Sequence, residues 1–346
     1  MEQQSSPDPS RIMQIGMGFW AAKVVLTAVS FKLFSILAKG PLSGQQLKEK
    51  LKLGATDRHV YDWLDALVSL GFLQREGIWD KAMYSNSADA DTFLDEQKPA
   101  YLGGILTMAN SRLYNVWSKL DKGLKTGKPQ NEEGKGGNME IFETMYKDQE
   151  KLQLFMDGMS GIQTGNFNAL INKFDFNNYD TMADVGGADG WLSILVCGKH
   201  PKIKCINFDL APVEPLAVKK IAKHNLSDRI AHHSGDFMKN ELPHAQLITM
   251  GNILHGLNED LKHFMLQKVY NSLPTGGAFI AIENVIDNER KQNTFGLLMS
   301  LNMLLENGDA FDYTFSDFEK WTKDVGFKKT ELMHLNGPCS AAIAYK

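Results

Sequence analysis

Asp184-Val185-Gly186-Gly187-Ala188-Asp189-Gly190 decides how this chain is read. The stretch ends a strand-length apolar run, Thr181–Val185, and opens a helical segment from Trp191 to Lys199. Glycines at such a junction let a ligand approach the main chain closely. The free amides at the helix start favour an anionic group. Nineteen residues after Gly190 stands Asp209, at the end of the next apolar run, Lys204–Asp209. An acid there suits a ribose with two free hydroxyls. The turn alone is what any tight strand-to-helix connection needs; turn and acid together indicate an adenosine-containing cofactor. The glycines do not fit G-x-G-x-x-G, which disfavours NAD.

Outward from this motif, further strand-length runs alternate with helical segments: Ala231–Ser234, Leu247–Ile253 and Ala278–Val285. Such alternation means a parallel sheet wrapped by helices. The last runs, Lys328–His334 and Ser340–Tyr345, are joined by a short link containing Asn336-Gly337-Pro338. That link is too short for a crossover and implies an antiparallel hairpin. Towards the N-terminus, Gln149–Leu170 reads as one helix, and Gly123–Gly137 as an exposed loop. Ser43 caps a helix over Gly44–Leu51, and Thr56 caps one that runs to about Leu70, with Gly71 as its stop. Phe72–Arg75 and Ile78–Tyr84 then read as a hairpin, giving a winged-helix pattern.

The composition narrows the classes. With 346 residues, 43% apolar and 23% charged, the chain is globular, and at roughly 100–200 residues per domain it holds about two domains. The net charge of −4 carries no basic excess, and the second helix of the winged pattern sets Asp57, Asp62 and Asp65 against Arg58 alone. Phosphate would be repelled there, so no nucleic acid is expected and the domain is read as a packing or dimerisation unit. Ile12–Leu37 is apolar but broken by Lys23 and Lys32. It lacks the ~18 uninterrupted apolar residues of a membrane span and the basic start and cleavage site of a signal. It is therefore read as two buried helices, too apolar for a monomer's surface, in a cytoplasmic homodimer without membrane attachment. Cys197, Cys205 and Cys339 form no CxxC or Cys/His cluster, so neither a disulfide framework nor a zinc site is expected.

His255 follows the Leu247–Ile253 run and Glu283 lies near the end of Ala278–Val285. In an open parallel sheet the ligand crevice lies at these carboxyl ends. An imidazole near ~6.5 at such a crevice can take a proton from a bound group near neutral pH. A carboxylate beside the ring would orient it and stabilise the imidazolium.

A second acid in Ser234-Gly235-Asp236-Phe237-Met238, taken with the glycine turn and Asp209, resembles the S-adenosylmethionine-dependent methyltransferases. Asn252-Ile253-Leu254-His255 with Gly256 through Asp260 resembles the LHDWxD segment of the small-molecule O-methyltransferases. Leu273-Pro274-Thr275-Gly276-Gly277 with Glu283 resembles their LPxGG…E segment. Asn307–Thr314, with Phe318 and Gly326-Phe327, resembles their NPGGxERT…F…GF segment. The likeness covers essentially the whole chain. It implies an α/β fold: a Rossmann-like methyltransferase domain, with a mostly parallel seven-stranded sheet and an antiparallel last strand, plus an N-terminal helical winged-helix-like dimerisation domain. The expected division is 1–100 for dimerisation, 101–175 for linker and pocket helices, and 176–346 for the cofactor domain.

The resemblance also places roles. Cofactor contacts fall on Asp184, Gly186, Gly187, Asp209, Leu210, Gly235, Asp236, Phe237 and Gly251. The general base falls on His255, flanked by Glu283 and Asp312, and the acceptor wall on Phe155, Met159, Ile162, Met303 and Asn307. The implied reaction moves a methyl group from S-adenosylmethionine to a hydroxyl of a small aromatic molecule, without a metal. The chain departs from the family at Ala188, where a third glycine is usual, at Gly256 and Leu257, which replace Asp-Trp, and at Asp312, which replaces Glu. Ala188 is expected to be tolerated unless its place needs a positive φ. Three other readings compete: the same fold and cofactor used for rearrangement or decarboxylation, an NAD-dependent oxidoreductase, and an adenosine-sensing transcription regulator.

Overall fold

The computed structural model describes residues 7–98, 100–131 and 149–346. The chain forms two compact units, Met1–Asn115 and Val116–Lys346. The helical stretch 101–175, expected between the domains, is divided between them. Gly103–Met108 packs on a helix of the first unit, whereas Gln149–Lys173 packs on elements of the second.

In the first unit, α1 (Ser10–Gly16), α2 (Gly18–Ser30) and α3 (Leu33–Leu37) lead into β1 (Leu42–Ser43), α4 (Gly44–Lys50) and α5 (Asp57–Ser69). Ser43 and Gln46 form a reciprocal capping box, and the Thr56 hydroxyl accepts from the His59 amide, so both sequence-read caps are present. The hairpin pairs β2 (Leu73–Glu76) with β3 (Met83–Asn86), antiparallel, with β1 on the other side of β3. Ile78 and Trp79 were expected in the second strand but belong to the connection. Trp79 takes φ +55° at the start of a 3₁₀ turn, which no extended strand permits. Leu33, Phe34, Leu47, Leu64, Leu67 and Tyr84 form the core.

The apolar N-terminal helices differ from their sequence reading. Helix α1 buries none of its residues within the chain, and Ile12, Ile15 and Trp20 are 74%, 70% and 61% exposed. By length and composition Ser10–Ser30 is also apolar enough to cross a membrane, despite Lys23. The end of α2 joins the core of its own unit through Ala28 and Val29, whereas α1 and the start of α2 present an exposed apolar face.

The second unit is built on seven strands: β4 (Thr181–Val185), β5 (Lys204–Asp209), β6 (Ile230–Ser234), β7 (Leu247–Gly251), β8 (Ala278–Glu283), β9 (Lys329–Asn336) and β10 (Cys339–Tyr345). Their order is β6-β5-β4-β7-β8-β10-β9, parallel except for β10, which runs antiparallel to both neighbours. The expected terminal hairpin is present, with β10 inserted between β8 and β9. Every residue of β8 is buried, because helices cover both faces of the sheet. Alternate residues feed two cores: Val185, Ile248 and Phe279 on one face, Met182, Leu247 and Ile280 on the other.

The strand order reverses between β4 and β7. From β4 the chain builds outward to β5 and β6, then returns to lay β7 on the opposite side. Ligands of open α/β sheets bind at such a switch point. The turn after β4 and the turn after β7 thus face the same crevice, although Gly187 and His255 are far apart in sequence. Of the loop expected over Gly123–Gly137, the first residues belong to a helix over Leu120–Thr126, whose Gly123 is buried against Leu305, and 132–137 lie outside the described residues. All three cysteines are free thiols.

Candidate active site

The glycine turn is held by buried carboxylates. Gly186 and Gly190 adopt φ +71° and +79°, and a Cβ on Gly187 would lie 2.1 Å from Asn207 Oδ1. Asp209 Oδ2 accepts from the Ala188 amide at 2.8 Å, and Oδ1 accepts from its neighbour Leu210 at 2.7 Å. The acid expected to hold a ribose therefore also fastens the turn. Ala188 takes φ +49°, the condition under which its methyl is unfavourable.

Asp184 sits opposite Thr249 in the β4–β7 pair and accepts its hydroxyl at 2.7 Å. Burial pushes the Asp184 carboxyl up to about 7, and the charges of Asp209 and Asp189 add to the rise. Burial likewise lifts Asp209 to about 6, against the two amides that lower it. Asp189 is buried too, paired with Lys220 Nζ at 2.6 Å and bonded by the Ser160 hydroxyl. Three acids thus surround the turn with one lysine among them. An adenosine cofactor that carries a positive charge fits this donor set.

Gly235 donates its amide to the Asp209 carbonyl at 2.8 Å, which brings the ends of β5 and β6 together. Asp236 Oδ1 accepts from the Met238 amide, and Oδ2 pairs with exposed Lys239 at 3.1 Å. Phe237 packs on the adjoining core. A Cβ on Gly251 would meet only Phe167, at 4.0 Å, so the end of β7 opens onto free space.

The second cluster forms beside it. His255 lies in a 3₁₀ turn, Leu254–Gly256, after β7. Its Nδ1 is 3.5 Å from Asp312 Oδ2, within ion-pair reach, yet neither buried atom has a hydrogen-bond partner. Glu283, at the end of β8, does not bond the ring. Its Oε1 accepts from the Ile253 and Leu254 amides at 3.1 and 2.9 Å, and its Oε2 from the His255 amide at 3.2 Å. Glu283 therefore fixes the turn that carries the imidazole, and Asp312 faces the imidazole itself. Burial pushes His255 down, but the charges of Glu283 and Asp312 outweigh it and the net shift is upward. Burial raises Glu283 to about 7, against the charge of His255. The three side chains offer donor atoms within 4.8 Å of one another.

The residues expected to form an acceptor wall are spread over two helices. Met303 and Asn307 are buried on α14, numbering the described helices in chain order (Thr294–Asn307), which packs against the His255 turn. Asn307 Oδ1 is buried without a partner. Met159 and Ile162 lie on α10 (Gln149–Lys173), Ile162 being 37% exposed. Between them Ser160 bonds Asp189, and Thr164 accepts the Trp191 indole, so this helix is tied to the glycine turn. The side chain of Phe155 lies outside the described residues.

Two participants escaped the sequence reading. Asp189 stands inside the quoted motif, and its link to Ser160 joins two elements that sequence spacing cannot connect. Lys262, on α13 (Glu259–Ser272), is fully buried. It occupies the core stripe shared with Met265, Leu266 and Val269, and a lysine at that spacing was the available signal.

Comparisons with known proteins place the chain in a family. Residues 117–328 match the model of an O-methyltransferase domain, and residues 13–96 that of an O-methyltransferase dimerisation domain. The chain is 33% identical to the tetracenomycin polyketide synthesis 8-O-methyl transferase TcmO of Streptomyces glaucescens, over 98% of this chain and 97% of that one. It is 28% identical to the N,N-dimethyltransferase OxyT of Streptomyces rimosus, over 92% and 90%. The structure of human N-acetylserotonin methyltransferase in complex with SAM shares the fold, with a TM-score of 0.89, 24% identity and coverage of 100% and 99%. A domain match over more than half the chain and a relative of this identity along its whole length make the chain a member of the O-methyltransferase family.

Proposed function

We propose that this protein transfers a methyl group from S-adenosylmethionine to a hydroxyl of a small aromatic molecule, with His255 as general base, and works as a homodimer. The observation that carries the reading is His255 on a clamped turn beside the strand switch point, with Nδ1 turned to Asp312. Bound S-adenosylmethionine supplies an electrophilic methyl group on a positively charged sulfur. Asp184, Asp189 and Asp209 suit that charge, and Asp209 retains lone pairs for the ribose hydroxyls beyond the two amides it accepts. With Nδ1 facing Asp312, Nε2 is the ring nitrogen left to accept the hydroxyl proton. Asp312 then faces the imidazolium and stabilises it, the Glu283 clamp keeps the ring in place, and both act while the acceptor oxygen is held in line with the methyl carbon.

The acceptor is read as flat and apolar with one polar group. Met159, Ile162 and Met303 offer soft apolar contacts, and Asn307 Oδ1 offers an unused acceptor. TcmO is named for O-methylation of a polyketide, which suits such a wall. The exposed apolar face of α1 and α2 falls largely within the dimerisation-domain match, which supports a second copy as its cover.

Calorimetric titration with S-adenosylhomocysteine, with NADH as control, tests the cofactor. Micromolar binding of the first and none of the second is expected. Labelled-methyl transfer to a panel of phenols then tests the base. His255→Ala is expected to lower turnover by about 10²–10⁴-fold with donor affinity unchanged, and unchanged turnover overturns the assignment.

A further inference from the structure

Lys262 has no exposed side-chain surface, an unusual state for an ammonium group. Its Nζ donates to the carbonyl of Leu257, two residues past His255. The same atom lies 3.7 Å from the centroid of the Phe311 ring and 5.8 Å from that of Trp321. Phe311 immediately precedes Asp312. The ammonium thus joins the two segments that flank the imidazole: the chain leaving the His255 turn and the chain delivering Asp312. Four acids hold it by charge: Glu283 from β8, Asp312 and Asp309 from the segment after α14, and Glu259 from its own helix. Burial nonetheless draws Lys262 down to about 8. Tyr313 and Cys339 also face Glu283, and the pKa values of both are raised, chiefly by burial.

We propose that Lys262 is the internal counter-charge of the His255 site, a positioning residue that holds the turn through Leu257 and limits how far the two acids favour protonation of the imidazole. The inference rests on His255 being the base. Without a cation beside them, the charges of Glu283 and Asp312 would favour the protonated imidazole more strongly, and a protonated His255 takes no proton from an acceptor. An internal ammonium supplies the charge instead. Its own field opposes protonation of His255, against the pull of the two acids. The aromatic faces of Phe311 and Trp321 stabilise a cation where water does not reach. Lys262 touches neither donor nor acceptor in this scheme; it acts through His255.

The test uses Lys262→Met, which removes charge and donor, Lys262→Gln, which keeps a donor for the Leu257 carbonyl, and Lys262→Arg, which keeps the charge. The His255 imidazole is followed by NMR in the full-length protein, its signal identified by its loss in His255→Asn, and the pH profile of kcat is recorded beside it. In Lys262→Met and Lys262→Gln the imidazole is expected to titrate about one pH unit higher. The acid limb of kcat should follow it, KM for the acceptor should be unchanged, and Lys262→Arg should restore both. If Lys262→Met does not fold, Lys262→Gln carries the test, since it retains the hydrogen bond. An unmoved His255 titration in a folded variant overturns the inference and leaves Lys262 a packing residue. A shifted titration with an unmoved kcat limb leaves the counter-charge standing and instead removes His255 as the base.

Discussion

Around the glycine turn three acids, Asp184, Asp189 and Asp209, have one lysine among them, Lys220, which pairs with Asp189. Around His255 two acids, Glu283 and Asp312, face two bases, His255 itself and Lys262. Both groups lie at the carboxyl ends of one sheet, and both are buried. The difference is where the balancing charge comes from. The second group contains its own cation, Lys262, as the proposed proton-accepting role of His255 requires. The first is left electronegative, a fitting state for a site whose ligand brings a positive charge.

The same change in each cluster breaks or confirms this contrast. Glu283→Gln removes an acceptor from a carboxylate that serves three amides, and sets an amide N–H against another donor. A loss of stability of about 2 kcal/mol is expected in chemical denaturation. Asp184→Asn keeps an oxygen for the Thr249 hydroxyl and removes a buried charge that has no lysine of its own. The ligand-free protein should gain about 1 kcal/mol at pH 8, while its affinity for S-adenosylmethionine falls. If both substitutions destabilise equally, the two clusters are not different in kind.

The pH dependence of stability has a definite sign. Asp184, Asp209 and Glu283 titrate near 7, 6 and 7 in the folded chain, above their ordinary values. The folded chain therefore holds more protons than the unfolded one between about pH 4 and 7. Stability from these groups is fully present below that window and is lost as pH rises through their folded values. His255, also raised, has the same sign. The melting temperature of the ligand-free protein should fall by a few degrees from pH 5.5 to pH 8, and by less with S-adenosylmethionine bound. A rising melting temperature would contradict the raised values. The smallest effect is expected at the turn itself. Ala188→Gly relieves the φ of +49° but loses a methyl packed near Leu152 and Met156. A net gain of about 0.5 kcal/mol is expected in the same unfolding assay.

Much of this was legible in the sequence. The strands of the cofactor sheet stood out as apolar runs because both faces of the sheet are covered. Thr181–Val185 and Lys204–Asp209 have the bounds read from sequence, and the later strands differ from their reading by a few residues at their ends. The Ser43 and Thr56 caps are equally local, since a cap is set by neighbours three residues away. Ile78 and Trp79 misled because apolar, strand-like side chains do not show that the connection runs on through a 3₁₀ turn to Lys81. The N-terminal helices were legible as a face to be covered, and the single chain covers only the end of α2.

The chain's own order of residues determined the alternation of strand and helix, the glycine turn, the acid that follows it and the histidine at a strand end. Each of these depends on spacing over a few residues, which is written in the sequence. Only the tertiary structure decided that Glu283 clamps the main chain while Asp312 faces the ring, that Ser160 ties α10 to the glycine turn, and that Lys262 lies buried among the charges of the site. These relations join residues far apart in the chain, and the packing of β4, β7 and β8 against their helices brings them together. Whether an acid orients, clamps or awaits a cation depends on which donors the folded neighbours aim at it.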